Sequence, residues 1–270
     1  MLLSEINIYP IKSCRGSKEI SAEVTPKGLQ GDREYLLIDE NGKFLTQRQY
    51  PALARIQVTL NFDRLILQRE EVDTFTLRPR KDGKERPITI WRDETIAIDQ
   101  GDRVADWFKQ ALDIPDKRLR LVKQSPEHPR PVDPKYGQPE DQVSFADGFP
   151  LLLIGTASLA ELNRRLREQS VPAVPMNRFR PNLVVETEEP FIEDTWQKIA
   201  IGEVEFSVVK PCTRCIVTTT NQYSGERRPD KEPLKTLSTF RKTAAGITFG
   251  QNLIPLNTGT IGVGQDIVVL

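Results

Sequence analysis

Short apolar runs with polar interruptions fill the first hundred positions: INIYPI, REYLLID, KFLTQR, RIQVTL, LILQ, DTFTL and ITIWRDETIAID. They are rich in β-branched and aromatic residues and are separated by turn chemistry, which predicts strands. Asn41 and Gly42 stand between two of these runs. Both residue types tolerate positive φ, so ENGK predicts a hairpin turn. Over 102–112 the period lengthens, with Val104, Trp107, Phe108 and Leu112 on one face and Asp102 available as a cap, which predicts a helix. Such a set of strands with one helix implies a barrel-like, β-rich unit.

The pattern breaks over residues 125–141, SPEHPRPVDPKYGQPED, where five prolines predict an irregular connector. The connector is a candidate boundary between two units of one compact protein. Beyond it, TASLAELNRRLREQ places Leu159, Leu162 and Leu166 at helical spacing behind Thr156 as a cap. NLVVE, KIAIGEVEFSVVK with its bend at Gly202 and Glu203, and CIVTTTN read as strands. A short helix is expected over 233–242 after Glu232, and GTIGVGQDIVVL closes the chain as turn and strand. The second unit therefore also reads as a closed or nearly closed sheet decorated by helices.

Composition removes whole classes of function. Lys plus Arg and Asp plus Glu are equal at 38 each, so no bulk attraction to nucleic acid or membrane is expected. The amino terminus has no signal-peptide core, and the apolar run FPLLLI is far too short to span a bilayer. A cytoplasmic protein with no membrane anchor is the expectation. A single histidine, His128, rules out centres built on several histidines, and its place in the connector reads as a solvated loop. Gly259, Gly262 and Gly264 do not make a dinucleotide loop, because too few residues follow them to build the required helix.

The chemistry is concentrated in KPCTRCIVTTT, which holds two of the three cysteines, Cys212 and Cys215. Three cysteines fit a reducing compartment and fall short of the four thiolates of an ordinary iron–sulfur cluster. The spacing itself admits a zinc clamp with Cys14 and His128, a redox dithiol, two buried small hydrophobes, or one thiolate beside Lys210 and Arg214. The zinc clamp lacks its second knuckle, and the β-branched run after Cys215 does not offer the helix start that a dithiol uses. A soft thiolate in a basic setting suits a transition metal carried with an anionic ligand. Lys12 and Ser13 in YPIKSCRG, with Arg178 and Arg180 in MNRFRPN, are candidate grips for such an anion.

The ordered set YPIKSCRG, GDREYLL, FADGFPLLL, NRFRPNLVVE, PCTRCIVTTT, EPLKTLSTFRK, FGQN and GTIGVGQ resembles the MOSC superfamily, the molybdenum cofactor sulfurase carboxy-terminal domain with its amino-terminal β-barrel partner. Within it, the chain looks most like the amidoxime-reducing components and their bacterial counterparts. The resemblance implies an α+β, β-rich fold: an N-terminal β-barrel-like domain over residues 1–120 and a MOSC β-barrel with flanking helices over 121–270. It also implies a molybdenum–molybdopterin cofactor between the two.

By the same resemblance Cys215 is the metal ligand, Lys12, Ser13 and Arg33 hold the phosphate region of the pterin, and Asp147, Gly148 and Phe149 form a loop passing the cofactor. Arg180, Asn182, Thr213 and Arg214 complete the expected cradle, and Asn252 takes a position where the amidoxime reducers have tyrosine. Asp147 is also the expected proton-handling residue. The implied activity is reduction of small N-hydroxylated substrates, amidoximes and hydroxylamines. Electrons would come from a separate carrier, a ferredoxin or a cytochrome b5-type protein with its reductase. The alternative is a non-catalytic carrier of molybdenum cofactor or of sulfur on Cys215. Pyridoxal phosphate binding, a ligand often attached to the family, is a further expectation.

Overall fold

The computed structural model describes residues 1–270. Twenty-one strands and three α-helices run in chain order. The first part holds β1 (Leu3–Ile8), β2 (Ser17–Glu19), β3 (Ser21–Thr25), β4 (Gly28–Leu29), β5 (Tyr35–Asp39), β6 (Gln57–Asn61), β7 (Arg64–Arg69), β8 (Val72–Leu77), β9 (Glu85–Ile90), β10 (Asp93–Asp99), α1 (Asp102–Leu112) and β11 (Leu119–Gln124). The remainder holds β12 (Arg130–Pro131), β13 (Gln142–Val143), β14 (Leu151–Gly155), α2 (Thr156–Glu168), β15 (Leu183–Val185), β16 (Lys198–Ile201), β17 (Val204–Thr213), α3 (Leu234–Ser238), β18 (Lys242–Thr243), β19 (Gly246–Pro255), β20 (Gly259–Gly262) and β21 (Ile267–Val269).

The largest sheet has the order β2-β1-β15-β14-β19-β17-β16-β21, with β18 added beside β19. Its parallel pair is β14 with β15, joined by a crossover that contains α2. The amino-terminal strand is laid into this sheet: β1 pairs antiparallel with β15, Leu3 opposite Val185 and Ile6 opposite Leu183. Likewise β3 pairs with β20, Val24 opposite Gly259. Beside this stand a four-stranded sheet, β5-β11-β10-β9, and the meander β6-β7-β8. Leu3, Ile6, Leu151, Leu153, Phe206 and Leu253 belong to the core of the large sheet. Ile11, Leu37, Leu53, Trp107, Phe108 and Leu121 build a second core under α1.

Helix α1 forms as expected, and Val104, Trp107, Phe108 and Leu112 are all buried. Each side chain of this kind gains about 1.5–3 kcal/mol from burial. Its cap differs from the expectation. Gly101, at φ 99, is the N-cap, and its N–H donates to Asp99 Oδ1 at 2.8 Å. Asp102 is the first helical residue and its carboxylate pairs with Arg120 instead. Helix α2 likewise begins on Gly155 rather than being capped by Thr156. The Ala157 N–H donates to Thr187 Oγ1 at 3.1 Å, and buried Glu193 accepts from the Gly155 N–H and the Ser158 hydroxyl. Both helix starts are finished by distant residues that no local pattern marks.

Two expected strands are absent. KFLTQR contributes only two isolated bridges, Ile38 to Phe44 and Lys43 to Thr89, beyond the Asn41–Gly42 turn, and then leaves the sheet. CIVTTTN becomes a single 3-10 turn over Ile216–Thr219. The physical reason lies in the threonines: the Thr218 hydroxyl donates to the Cys215 carbonyl at 3.0 Å and the Thr219 hydroxyl to the Ile216 carbonyl at 2.7 Å. Such local bonds offer the backbone an alternative to a ladder and override β propensity. The helix expected over 233–242 is shorter, Leu234–Ser238, and buried Glu232 accepts the Thr236 N–H at 3.0 Å.

Candidate active site

Where β17 and β19 run alongside each other, Lys210 lies opposite Asn252 and Thr213 opposite Thr248. Two register irregularities interrupt β17 here, between Val208 and Lys210 and between Pro211 and Thr213. Bulges of this kind re-aim the side chains that follow them. On β19, Gly250 sits at φ 81, and a β-carbon there would stand 2.6 Å from Ile154 and 2.7 Å from the Leu153 carbonyl. Only glycine fits so close to β14. The strand ends thus deliver Cys212 to Cys215 into an open cleft of about 850 Å³.

All twelve candidate residues line this one cleft: Lys12, Ser13 and Arg33 from the first part, Asp147, Gly148 and Phe149 from the loop before β14, Arg180 and Asn182, Thr213, Arg214 and Cys215, and Asn252 on β19. Arg178 does not join them. It is buried, and its guanidinium donates to the Thr219 carbonyl at 2.8 Å, tying down the turn after Cys215. His128 stands outside the cleft, half-buried in the connector.

Three cradle residues adopt left-handed backbone: Ser13 at φ 70, Arg33 at φ 49 and Arg180 at φ 55. Each such conformation costs an L residue about 1–3 kcal/mol and persists only where its surroundings over-determine it. They do so here. The Ser13 carbonyl accepts from Gln47 Nε2 at 2.6 Å, the Arg33 N–H donates to the Tyr9 carbonyl at 2.8 Å, and the Arg180 carbonyl accepts from Arg33 Nη2 at 3.1 Å. Arg33 also grips Asp32 at 2.6 Å and Asn182 Oδ1 at 2.7 Å. Asn182 is spent on scaffolding, its amide donating to the Asn7 carbonyl at 3.1 Å.

Tyr9 lies under both guanidiniums, with Arg33 4.6 Å and Arg180 4.2 Å from its ring centre. Burial pushes its hydroxyl up to about 12, so the ring stays neutral beneath the two cations. Burial also pushes Arg180 down to about 10, the mark of a cation short of solvent and of acceptors. Arg180 Nη2 is buried with no partner, and Nη1 reaches only Gln222 Oε1 at 3.3 Å. A buried donor without a protein acceptor is completed by a water or by a ligand atom, and this one lies on the wall of the cleft.

Lys12 is buried, and its ammonium donates to the Phe145 carbonyl at 2.7 Å and to Asp147 Oδ1 at 2.5 Å. Burial lowers the Lys12 pKa, against the pull of Asp147. For Asp147 burial acts upward, but Lys12, Arg48 and the Trp91 indole N–H together hold the carboxyl well below the usual carboxylate range. Its side chain is 61% exposed, so this network meets solvent at the mouth of the cleft. Arg130, from the connector, fixes the preceding backbone by donating to the Ser144 and Ala146 carbonyls while pairing with Asp93 at 2.6 Å.

The cation beside Cys215 is neither of the two that flank it in sequence. Lys210 lies over the Tyr136 ring at 4.9 Å, and Arg214 turns to Cys212 Sγ at 3.0 Å and to the Phe179 carbonyl. Arg48 takes the place instead, its Nη2 3.4 Å from Cys215 Sγ and 3.6 Å from Asp147, with its guanidinium 4.5 Å from the centre of the Trp91 ring. Arg48 comes from the segment that reads as a strand, so its chemistry was hidden in a strand pattern. Cys212 packs half-buried against the cluster of Leu152, Ile154, Phe179 and Phe249.

A β-rich fold whose first strands are built into the second sheet, with a cationic, thiol-bearing cleft between, defines the class. Residues 1–115 match the MOSC N-terminal beta barrel domain and residues 140–268 the MOSC domain, and the chain belongs to this MOSC family. Among relatives it is similar to mitochondrial amidoxime-reducing component 1 of Homo sapiens, 34% identical over 287 aligned residues that cover 99% of this chain and 82% of that protein. Mitochondrial amidoxime reducing component 2 of Bos taurus is 36% identical over 88% of this chain and 72% of its own length. Molybdenum cofactor sulfurase of Oryza sativa subsp. japonica is 33% identical over 98% of this chain, which spans 33% of that longer protein. No helix is long and apolar enough to cross a membrane.

Proposed function

We propose that the cleft holds a molybdenum–molybdopterin cofactor and that the protein reduces N-hydroxylated compounds. The observation that carries the reading is the joint placement of Cys215, Lys12, Ser13, Arg33, Arg180 and Asp147 around one cleft. The residues fit the group. A sulfur donor with an adjacent guanidinium suits a metal carried with anionic ligands, and the partnerless Arg180 Nη2 suits a phosphate oxygen. Likeness to the amidoxime-reducing components supports the substrate class.

When bound, the cofactor supplies the two-electron chemistry that breaks the N–O bond, the oxygen leaving as water with two protons taken up. The chain supplies position and charge. Cys215 Sγ ligates the metal, and Arg48 offsets the negative charge of that thiolate. Lys12, Ser13, Arg33 and Arg180 hold the pterin phosphate, with Thr213, Arg214, Gly148, Phe149 and Asn252 as walls. Asp147 is ionised at neutral pH, so it anchors Lys12 at the solvent-exposed mouth of the cleft, and the two protons consumed are delivered from solvent there. In the pair, the proton rests on Lys12 Nζ. Electrons arrive from a separate carrier, a ferredoxin or a cytochrome b5-type protein with its reductase.

A second reading rests on the likeness to molybdenum cofactor sulfurase: the same cleft would carry the cofactor, or sulfur on Cys215, without turnover. Metal analysis of protein from a cofactor-competent host, followed by benzamidoxime reduction with an artificial electron donor, separates the two. Molybdenum with turnover is expected. Molybdenum without turnover selects the cofactor carrier, and protein free of molybdenum overturns both molybdenum readings and leaves the sulfur carrier. Cys215→Ser is expected to abolish activity and Cys212→Ser to leave most of it; equal losses would return the two thiols to a joint role.

A further inference from the structure

A second cleft, of about 830 Å³, lies between the meander β6-β7-β8 and the loop after the cysteine turn. Its lining is almost wholly polar and includes Arg15, Arg55 and Arg69, with Tyr223 at one side. Glu70 is the one carboxylate in the lining, 89% exposed and 3.6 Å from Arg55. Glu71 and Asp113, whose charges Arg69 also feels, stand outside it. The chain as a whole has no net charge, so three guanidiniums against one solvated carboxylate is a local excess built by the fold.

Arg15 and Arg69 are held in place by backbone carbonyls, with hydrogen-bonding capacity left over, and Arg55 has only exposed Glu70 as a partner. Arg15 Nε donates to the Gln222 carbonyl at 3.0 Å and Nη2 to the Tyr223 carbonyl at 3.2 Å, while its guanidinium lies 4.8 Å from the centre of the Tyr223 ring. Arg69 Nη1 donates to the Ala111 carbonyl at the end of α1, and its Nε is buried with no partner. Burial lowers the pKa of both Arg15 and Arg69, and for Arg69 the next cause is repulsion from Arg55. Desolvated like charges sharing a concave site are costly unless an anion completes it.

We infer that this second cleft, through Arg15, Arg55 and Arg69, is a binding site for a doubly charged oxyanion, inorganic phosphate or the phosphoryl group of a small phosphomonoester. Planar guanidiniums match the oxygens of such a group, and Tyr223, 63% exposed, offers a face to an organic substituent. The site stands apart from the cysteine cleft and does not depend on what that cleft binds.

The test is calorimetric titration of the full chain, in low salt, with inorganic phosphate and separately with phenyl phosphate. Saturable binding with Kd of about 1 mM or tighter is expected for at least one probe. Tighter binding of phenyl phosphate identifies a monoester as the source, and equal or weaker binding identifies the free ion. Arg55→Gln, which gives up no ion pair other than that with exposed Glu70, is expected to weaken that event about tenfold, the worth of one charge-assisted hydrogen bond. Arg180→Gln, in the other cleft, is expected to leave it intact. Arg69→Gln also loses the tie to α1, so its melting temperature is measured alongside, and Arg55→Gln carries the decision. Absence of a saturable event, or phosphate affinity unchanged in Arg55→Gln, overturns the assignment. So does an event that Arg180→Gln abolishes.

Discussion

Replacing Arg48 with glutamine removes the only cation in contact with Cys215 Sγ while keeping a polar, uncharged side chain on the same stem. At 3.4 Å a unit charge on the sulfur and the guanidinium attract by roughly 5 kcal/mol at an effective dielectric of about 20, and by roughly 1 kcal/mol in bulk water. The Arg48 side chain is 29% exposed, so solvent screening brings the figure to roughly 2 kcal/mol. That corresponds to about a thirtyfold weaker hold on a metal bound through this thiolate. The assay is molybdenum retained after stepwise dilution and dialysis, read by elemental mass spectrometry, with benzamidoxime turnover measured on the same samples. Arg48→Lys keeps the charge and is expected to recover most of the retention; Arg214→Gln, whose partner is Cys212, is expected to affect stability more than retention. If Arg48→Gln holds molybdenum as the wild type does while Cys215→Ser loses it, the charge argument is wrong.

Asp147 sets a pH dependence of known sign. Its folded-state pKa lies below the unfolded value, so its contribution to stability is present above the ordinary carboxylate range and is lost as pH falls through the depressed value. Asp147→Asn is expected to flatten the acid limb of the melting-temperature profile, by a modest amount because the carboxylate is 61% exposed; an unchanged acid limb would refute the Lys12–Asp147 coupling. Phe249→Ala is expected to cost about 3–5 kcal/mol, since the ring is fully buried and stacks 4.4 Å from Phe179 on the wall of the cysteine cleft. Urea unfolding checks it, and a loss under about 1 kcal/mol would mean the cleft wall repacks freely.

What local pattern foretold was what local chemistry decides. The face of α1, the Asn41–Gly42 turn and the strands around Leu183 and Val204 follow from spacing and residue type alone. The cleft's lining was legible only through an ordered set of short motifs, because it is assembled from seven separate segments whose spacing carries no period. Errors fell where side chains from afar override propensity. Thr218 and Thr219 fold CIVTTTN back on itself, and Thr187 and Glu193 finish the helix for which the sequence offers Thr156 as a cap. Arg48 and Arg130 were missed for a related reason: a basic residue in an apparent strand or a proline-rich connector carries no mark of the partner it will meet.

The origin of the cleft residues bears on how the protein must be assembled. Lys12, Ser13, Arg33 and Arg48 precede residue 50, whereas Asp147, Arg180 and Cys215 follow residue 140. The bonds that hold the strained positions cross the same gap: Arg33 to Asn182 at 2.7 Å, Arg33 to the Arg180 carbonyl at 3.1 Å, and Lys12 to Asp147 at 2.5 Å. Strand β1 is itself a member of the large sheet, between β2 and β15. The left-handed backbone at Arg33 and Arg180 is therefore sustained across that gap, by the Phe145 N–H on the Arg33 carbonyl and by Arg33 Nη2 on the Arg180 carbonyl, whereas Ser13 is held by Gln47 within the first part. Removing the first thirty residues would strip β1 and β2 from the large sheet, take β3 and β4 from β20, and leave Arg180 without its stacked ring. The anion cradle is a product of the joined fold, and neither matched domain carries it alone.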